Sequence, residues 1–369
     1  MTYDLRRNSW LLLVCGLGCG QPGGSATVTE PTTGGETSTT TTTTGGGTTA
    51  VPTGSTTTAE PTTGEPDPCA ASPQALADCI DPAAYAEDLQ FIADVRTPGT
   101  PHWQAVQDLC ADRLSELGYE VVLMDYGSGV NVVGRRVGKT SPEQIVLVAA
   151  HYDHISDCRG ADDNASGVAA TLEIARLLAK AEFDRTVQVA YWDEEEDGLI
   201  GSEAYVAAAT AAGDDIVVDF NFDMIAFTSA AENSQTVPVG FELVFSEAYA
   251  ELEANQFRGD FIAIVNSSKA HEHALAYAAA ADRIGLRRAL IELPAGQETS
   301  ELFADLRRSD HAPFWDAGYP AVFLTDTSEF RYANYHCMAG PDEVANLDLE
   351  FAAAVTRATV EASAVALGM

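Results

Sequence analysis

The sequence predicts an α/β fold in three layers, with a mostly parallel mixed sheet between helices. Two observations carry this. Four short apolar runs, Ile145 to Ala150, Thr186 to Tyr191, Ile216 to Phe222 and Ala321 to Leu324, have the length and continuity of strands buried on both faces. Segments of helical spacing alternate with them, which is the pattern of helices covering such a sheet. A third observation concerns polarity: His151, the pair Glu195-Glu196, Asp223 and His336 each lie at or beyond the end of one of these runs. In open α/β sheets ligands gather at the carboxyl ends of strands.

Taken in chain order, Arg6 and Arg7 precede a short apolar stretch, Trp10 to Gly18, and then polar sequence. This is the layout of a secretory signal over residues 1–18, and the stretch is too short to span a bilayer. Cys19 follows Gly16-Leu17-Gly18, which resembles an imperfect bacterial lipobox. The mature chain then begins either at a lipid-bearing Cys19 or at an ordinary cleavage site nearby, so the protein is expected to be exported from a bacterial cell and either anchored or released. Residues 19–68 are Thr, Gly, Ser, Pro and Glu, with an unbroken run Thr39 to Thr44. Such composition builds no core and is expected to form a disordered tether. Residues 69–369 are long enough for a single large domain.

Within that domain the Ile145 to Ala150 run leads directly into His151-Tyr152-Asp153-His154. Gly160-Ala161-Asp162-Asp163-Asn164-Ala165-Ser166-Gly167 is expected to be a turn entering a helix, Asn164 to Ala181, with Val168, Leu172, Ala175 and Leu178 at helical spacing. Two more helices are expected at Ser202 to Ala212 and Leu349 to Leu367. Residues 227–269 read as an insertion containing candidate strands Phe241 to Phe245 and Phe261 to Val265. His271-Glu272-His273 is not a zincin motif, because Leu275 stands in the place of its second histidine; the run is expected to be the exposed start of a helix. Ser309-Asp310-His311 cannot form a nucleophilic relay, since chain neighbours point in different directions; the run is expected to be a loop supporting the site. Arg258-Gly259-Asp260 reads as a turn entering a strand.

One strand-end carboxylate is usually a helix cap or a solvated charge. The ordered set His151, Asp163, Glu195, Glu196, Asp223 and His336 is different. Imidazole nitrogen and carboxylate oxygen suit an open catalytic zinc site, a shared carboxylate can bridge two ions, and a carboxylate that is not a ligand can act as general base.

With Glu195-Glu196-Asp197-Gly198-Leu199-Ile200-Gly201-Ser202, Asn221-Phe222-Asp223-Met224 and Ser309-Asp310-His311-Ala312-Pro313-Phe314 added, the chain from about Leu76 onward resembles the bacterial double-zinc aminopeptidases of the zinc-dependent exopeptidase family. Relatives of that family include glutaminyl cyclases and transferrin-receptor-like proteins. The resemblance implies a zinc-exopeptidase architecture and two Zn²⁺ per chain. Asp163 would bridge, His151 and Asp223 would complete one zinc site, and Glu196 and His336 the other. Glu195 would be the base, Asp153 would orient His151, Tyr335 would stabilise an oxyanion, and Arg308 would meet a substrate carbonyl or product carboxylate. His154 is given no role, because the ligand set is complete without it. After His336 the chain departs from many relatives, with Cys337-Met338-Ala339-Gly340-Pro341-Asp342-Glu343, which bears on the loop's geometry.

If the site forms this way, Cys158 and Cys337 are brought together and are expected to pair. Cys79 and Cys110 flank the first helical region and are expected to make a second pair. Cys69 is then left over, or replaces one of these partners. Of the formal net charge of -35, -31 falls on residues 69–369. This acidic field disfavours nucleic acid and anionic membranes and favours cationic peptide N-termini. The expected partners are therefore peptide substrates, with membrane attachment only through Cys19. The expected activity is removal of N-terminal residues. A carboxypeptidase or dipeptidase, a single-zinc glutaminyl cyclase and a non-catalytic surface-binding module are the alternatives.

Overall fold

The computed structural model describes residues 67–369. The expected signal segment, Cys19 and nearly all of the tether lie outside the described residues. Three helices come first: α1 (Pro73–Asp78), α2 (Pro82–Ile92) and α3 (Pro101–Glu116). Each starts with proline at its first position, where the missing N–H costs nothing. The preceding residues Ser72, Asp81 and Thr100 accept hydrogen bonds from free amides of the first turn, as N-caps do.

An antiparallel pair follows, β1 (Glu120–Asp125) and β2 (Val130–Arg136), and then the alternating part of the chain: β3 (Ser141–His151), α4 (Gly167–Leu178), β4 (Arg185–Trp192), α5 (Ile200–Ala212) and β5 (Asp215–Phe222). Next come α6 (Phe241–Val244), α7 (Ser246–Ala254), β6 (Ile262–Asn266), α8 (His271–Ile284), β7 (Arg288–Glu292), α9 (His311–Ala317), β8 (Ala321–Thr325) and α10 (Leu349–Ala366). The strands form one sheet in the order β1-β2-β4-β3-β5-β8-β6-β7. Its centre, β4-β3-β5-β8, is parallel, and β2 and β6 join that centre antiparallel.

Both sheet faces are covered, and the strands show it residue by residue. Val146, Val148 and Ala150 of β3 belong to one core, with α1, α2, α4, α8 and α10, while Leu147 and Ala149 belong to the other, with α5, α7 and α9. Strand alternation of period two thus reads as a continuous apolar run, because neither face meets water. Among the described residues no helix is long and apolar enough to cross a membrane.

Three expectations need correction. Phe241 to Phe245 is not a strand. Phe241 and Phe245, four apart, are buried with ring centroids 4.9 Å apart, while Leu243 is 82% exposed; this is a helical pattern. The segment 227–269 is not wholly an insertion, since β6 is an integral strand of the sheet. Cys79 does not pair with Cys110. Its partner is Cys69, with Cα atoms 5.9 Å apart across α1, whereas Cys110 is free and faces the core from α3.

His311 opens α9 and is fully buried, stacked on Phe323 with ring centroids 4.2 Å apart. Its Nε2 lies 2.9 Å from the Leu306 carbonyl oxygen, so it is committed to the scaffold. Burial pushes its pKa down to about 3. Between that value and the unfolded value near 6.5 the unfolded chain binds a proton that the folded chain refuses. This contribution to stability is therefore complete above pH ~6.5 and is lost as pH falls, by about 1.4 kcal/mol per pH unit. Urea midpoints of metal-free protein at pH 7 and pH 5 should fall less for His311→Phe than for the unsubstituted chain. Equal falls would remove His311 from the acid response.

Candidate metal centre

The site is assembled at the carboxyl ends of the parallel strands. His151 is the last residue of β3, Glu195 and Glu196 follow β4, Asp223 follows β5, and His336 lies in the loop beyond β8. Asp163 comes from the 161–166 turn that precedes α4. Gly160 makes that turn passable: it has φ 55°, and a Cβ there would stand 2.1 Å from the Asp163 carbonyl oxygen. Only glycine fits this approach.

Two groups of ligand-type atoms share Asp163. In the first, His151 Nε2 lies 3.5 Å from Asp163 Oδ1 and 3.6 Å from Asp223 Oδ1. In the second, His154 Nδ1 lies 2.8 Å from Glu196 Oε1 and 4.0 Å from Asp163 Oδ1. Within each group the ligand atoms all fall within 4.8 Å of one another. His336 meets the second group, its Nε2 3.3 Å from Asp163 Oδ2 and 3.0 Å from Glu196 Oε2. Both ring nitrogens of His151 and His154, and Glu196 Oε1, are buried without a well-directed hydrogen bond, the close His154 Nδ1–Glu196 Oε1 contact included. Buried polar atoms are nearly always satisfied, and a divalent cation in each group would take up one nitrogen of each ring together with Glu196 Oε1. The donor set fits zinc.

The surroundings fix these groups. Asp153 is fully buried; its oxygens accept the backbone N–H groups of Glu195 and Glu196 at 3.1 and 3.2 Å, and one lies 3.5 Å from His151 Nδ1. It therefore ties β3 to the loop bearing both glutamates, as a carboxylate outside the ligand set does. Asp342 accepts the backbone N–H groups of Asp162 and Asp163. Cys158 and Cys337 are joined, which links the loop after His151 to the residue after His336.

Electrostatics follow from crowded acids. Burial lowers the pKa of His336, but Asp163 and Glu196 outweigh it and raise it to about 10. Burial raises Glu195 well above the usual carboxylate range, partly offset by His151 and increased by Asp223, Asp310 and Glu196. Burial, with the charges of Asp163 and Asp223, pushes the Tyr335 phenol up despite Arg308, so it remains a hydrogen-bond donor.

Glu195, Asp163, Asp223, His336, Tyr335 and Arg308 all line one cleft that is open to solvent. Phe241, Leu252, Phe261, Val265, Ile291 and Phe323 add an apolar part to its wall. Arg308 is paired with Glu329 and donates to the Tyr335 hydroxyl at 3.2 Å.

The structure thus brings together all nine residues singled out for the metals, base, His151 orientation, oxyanion and substrate contact. It adds His154, whose place three residues beyond His151 at the same strand end was the available signal. It also adds Asp342, six residues beyond His336, which had no signal because backbone clamping leaves no motif.

An α/β domain with two groups of side chains that could hold cations, sharing one carboxylate near its central strand ends, fits the class of metal-dependent hydrolases. The chain belongs to peptidase family M28, whose model matches residues 131–363. It is 30% identical over 211 residues to the "Probable zinc metalloprotease Lema_P086240" of Leptosphaeria maculans, covering 54% of this chain and 47% of that one. The chain spans about half the length of the curated relatives it matches. In fold it is similar to the Legionella pneumophila LapA aminopeptidase, with TM-score 0.61, 17% identity and coverage of 80% of this chain and 74% of that one. It is also similar to Fimbriiglobus ruber glutaminyl cyclase, with TM-score 0.52, 17% identity and coverage of 78% and 96%.

Proposed function

We propose that this protein is a two-zinc aminopeptidase that removes bulky apolar residues from the N-termini of peptides. The observation that carries the reading is the shared position of Asp163 between two buried donor groups, beside a cleft whose wall is apolar in part. His151, Asp163 and Asp223 would hold one ion, and Asp163 and Glu196 with His336 or His154 the other. A bound zinc pair supplies an activated water and a polarised carbonyl.

The rest of the chemistry belongs to the chain. Glu195, which opens on the cleft and belongs to neither donor group, takes the proton from the attacking water and returns it to the leaving amine. Tyr335 donates a hydrogen bond to the developing oxyanion. Arg308 holds the Tyr335 hydroxyl and faces the same cleft. The apolar wall receives the side chain of the N-terminal residue.

Charge favours the amino end of the substrate. With Asp163 and Asp223 neutralised by the ions, Glu195 and Asp305 remain in the cleft lining to attract a free ammonium, and Arg308, paired with Glu329, is not free to hold a substrate carboxylate, which weighs against a carboxypeptidase or dipeptidase. The second donor group weighs against a single-metal cyclase, and the complete ligand set against a purely binding module. The two disulfides support an exported protein, with residues 1–18 as signal, 19–68 as tether, and Cys19 as the point of lipid attachment or the neighbour of the cleavage site.

A panel of free and N-acetylated aminoacyl amides tests this. Leucine and phenylalanine amides should exceed alanine amide by roughly ten- to a hundred-fold in kcat/KM, the worth of burying such a side chain. Acetylation should abolish hydrolysis. Equal turnover of acetylated substrates would contradict the aminopeptidase reading.

A further inference from the structure

We propose that Arg96 is a positioning residue for the shared carboxylate, holding the main chain of Asp163 so that both its oxygens stay aimed at the two donor groups. The inference rests on the two-metal reading above. Arg96 lies in the connection between α2 and α3, ahead of the segment matched by the family model. It is nonetheless fully buried, among the largest side chains to be so. Its guanidinium forks: one nitrogen donates to the Arg159 carbonyl at 2.6 Å and the other to the Asp163 carbonyl at 2.8 Å.

The Asp163 peptide is thereby gripped from two remote parts of the chain. Arg96 takes its carbonyl, and Asp342 takes its N–H at 3.1 Å. Asp163 itself has φ -99° and ψ 97°, outside the helical conformation of α4 that follows. Nothing in a regular element fixes its direction, so these clamps must. The fork also bridges the Asp163 carbonyl to that of Arg159, on the opposite side of Gly160, which sets the width of the turn. A lysine keeps the charge but cannot span two carbonyls in a plane. The connection between α2 and α3 is thus tied directly to the main chain of Asp163.

The test compares Arg96→Lys and Arg96→Gln with Leu89→Ala, a core truncation in neighbouring α2 at a residue that does not line the cleft and makes none of the clamp's hydrogen bonds. All are made in the full chain. Zinc affinity is measured by competition with a chromogenic chelator, alongside thermal midpoint, kcat and KM on leucine amide. Both Arg96 variants should bind zinc about ten- to a hundred-fold more weakly and lose kcat with little change in KM. Leu89→Ala should lower the thermal midpoint with unaltered zinc affinity. Wild-type zinc affinity in Arg96→Lys, equal zinc loss in Leu89→Ala, or failure of both Arg96 variants to fold would overturn the positioning role. A wild-type chain that takes up no zinc would instead overturn the two-metal reading itself.

Discussion

Glu195→Gln should lower kcat by about 10²- to 10⁴-fold, the worth of a general base, while zinc content stays at the wild-type level. Glutamine keeps the size of the side chain and its place on the cleft wall, so substrate binding and KM should change little. Glu195 is half-buried, and burial with Asp223, Asp310 and Glu196 already favours its neutral form in the metal-free protein, so the thermal midpoint of that protein should change little. Retention of more than about a tenth of wild-type kcat would show that another group moves the proton.

Asp163→Asn should be more severe, because one side chain serves both donor groups. Its Oδ1 faces His151 and His154, and its Oδ2 faces His336. Neutralising it removes a ligand charge from each ion at once. Zinc binding should weaken by more than the 10- to 100-fold typical of residues that act through a ligand, with turnover lost in parallel. The metal-free fold should survive, since Asp342 and Arg96 grip the main chain of residue 163 and not its carboxylate. Elemental analysis after dialysis checks this, and two retained zinc ions in Asp163→Asn would refute the shared-carboxylate arrangement.

The sheet was legible because its central strands are buried on both faces, which leaves long apolar runs and puts the polar residues at their ends. Ile145 to Ala150 lies within β3, and Ile216 to Phe222 within β5. Legibility failed where burial is one-sided and short. Phe241 to Phe245 is apolar throughout, yet only the two phenylalanines four apart face inward, and a five-residue run cannot display a helical period on its own. Cysteine connectivity failed for a related reason: the position of Cys110 in the core between α3 and the sheet is a tertiary fact, whereas the Cys69–Cys79 link spans only α1.

The residues at the site fall into the same two kinds. His151, Asp163, Glu195, Glu196, Asp223 and His336 carry donor chemistry at strand ends or in the turns and loops beyond them and could be named from the chain alone. Arg96 and Asp342 act through hydrogen bonds to backbone atoms of a residue 67 and 179 positions away. Such contacts impose no spacing and no residue pattern, so only the folded chain shows them.

The most direct test of the two-metal account is stepwise addition of zinc to metal-free protein while hydrolysis of leucine amide is followed. The account predicts that two ions bind per chain and that hydrolysis reaches its full rate only as the second is taken up. Full rate at one ion per chain, or two ions bound with no hydrolysis of any free aminoacyl amide, would contradict it.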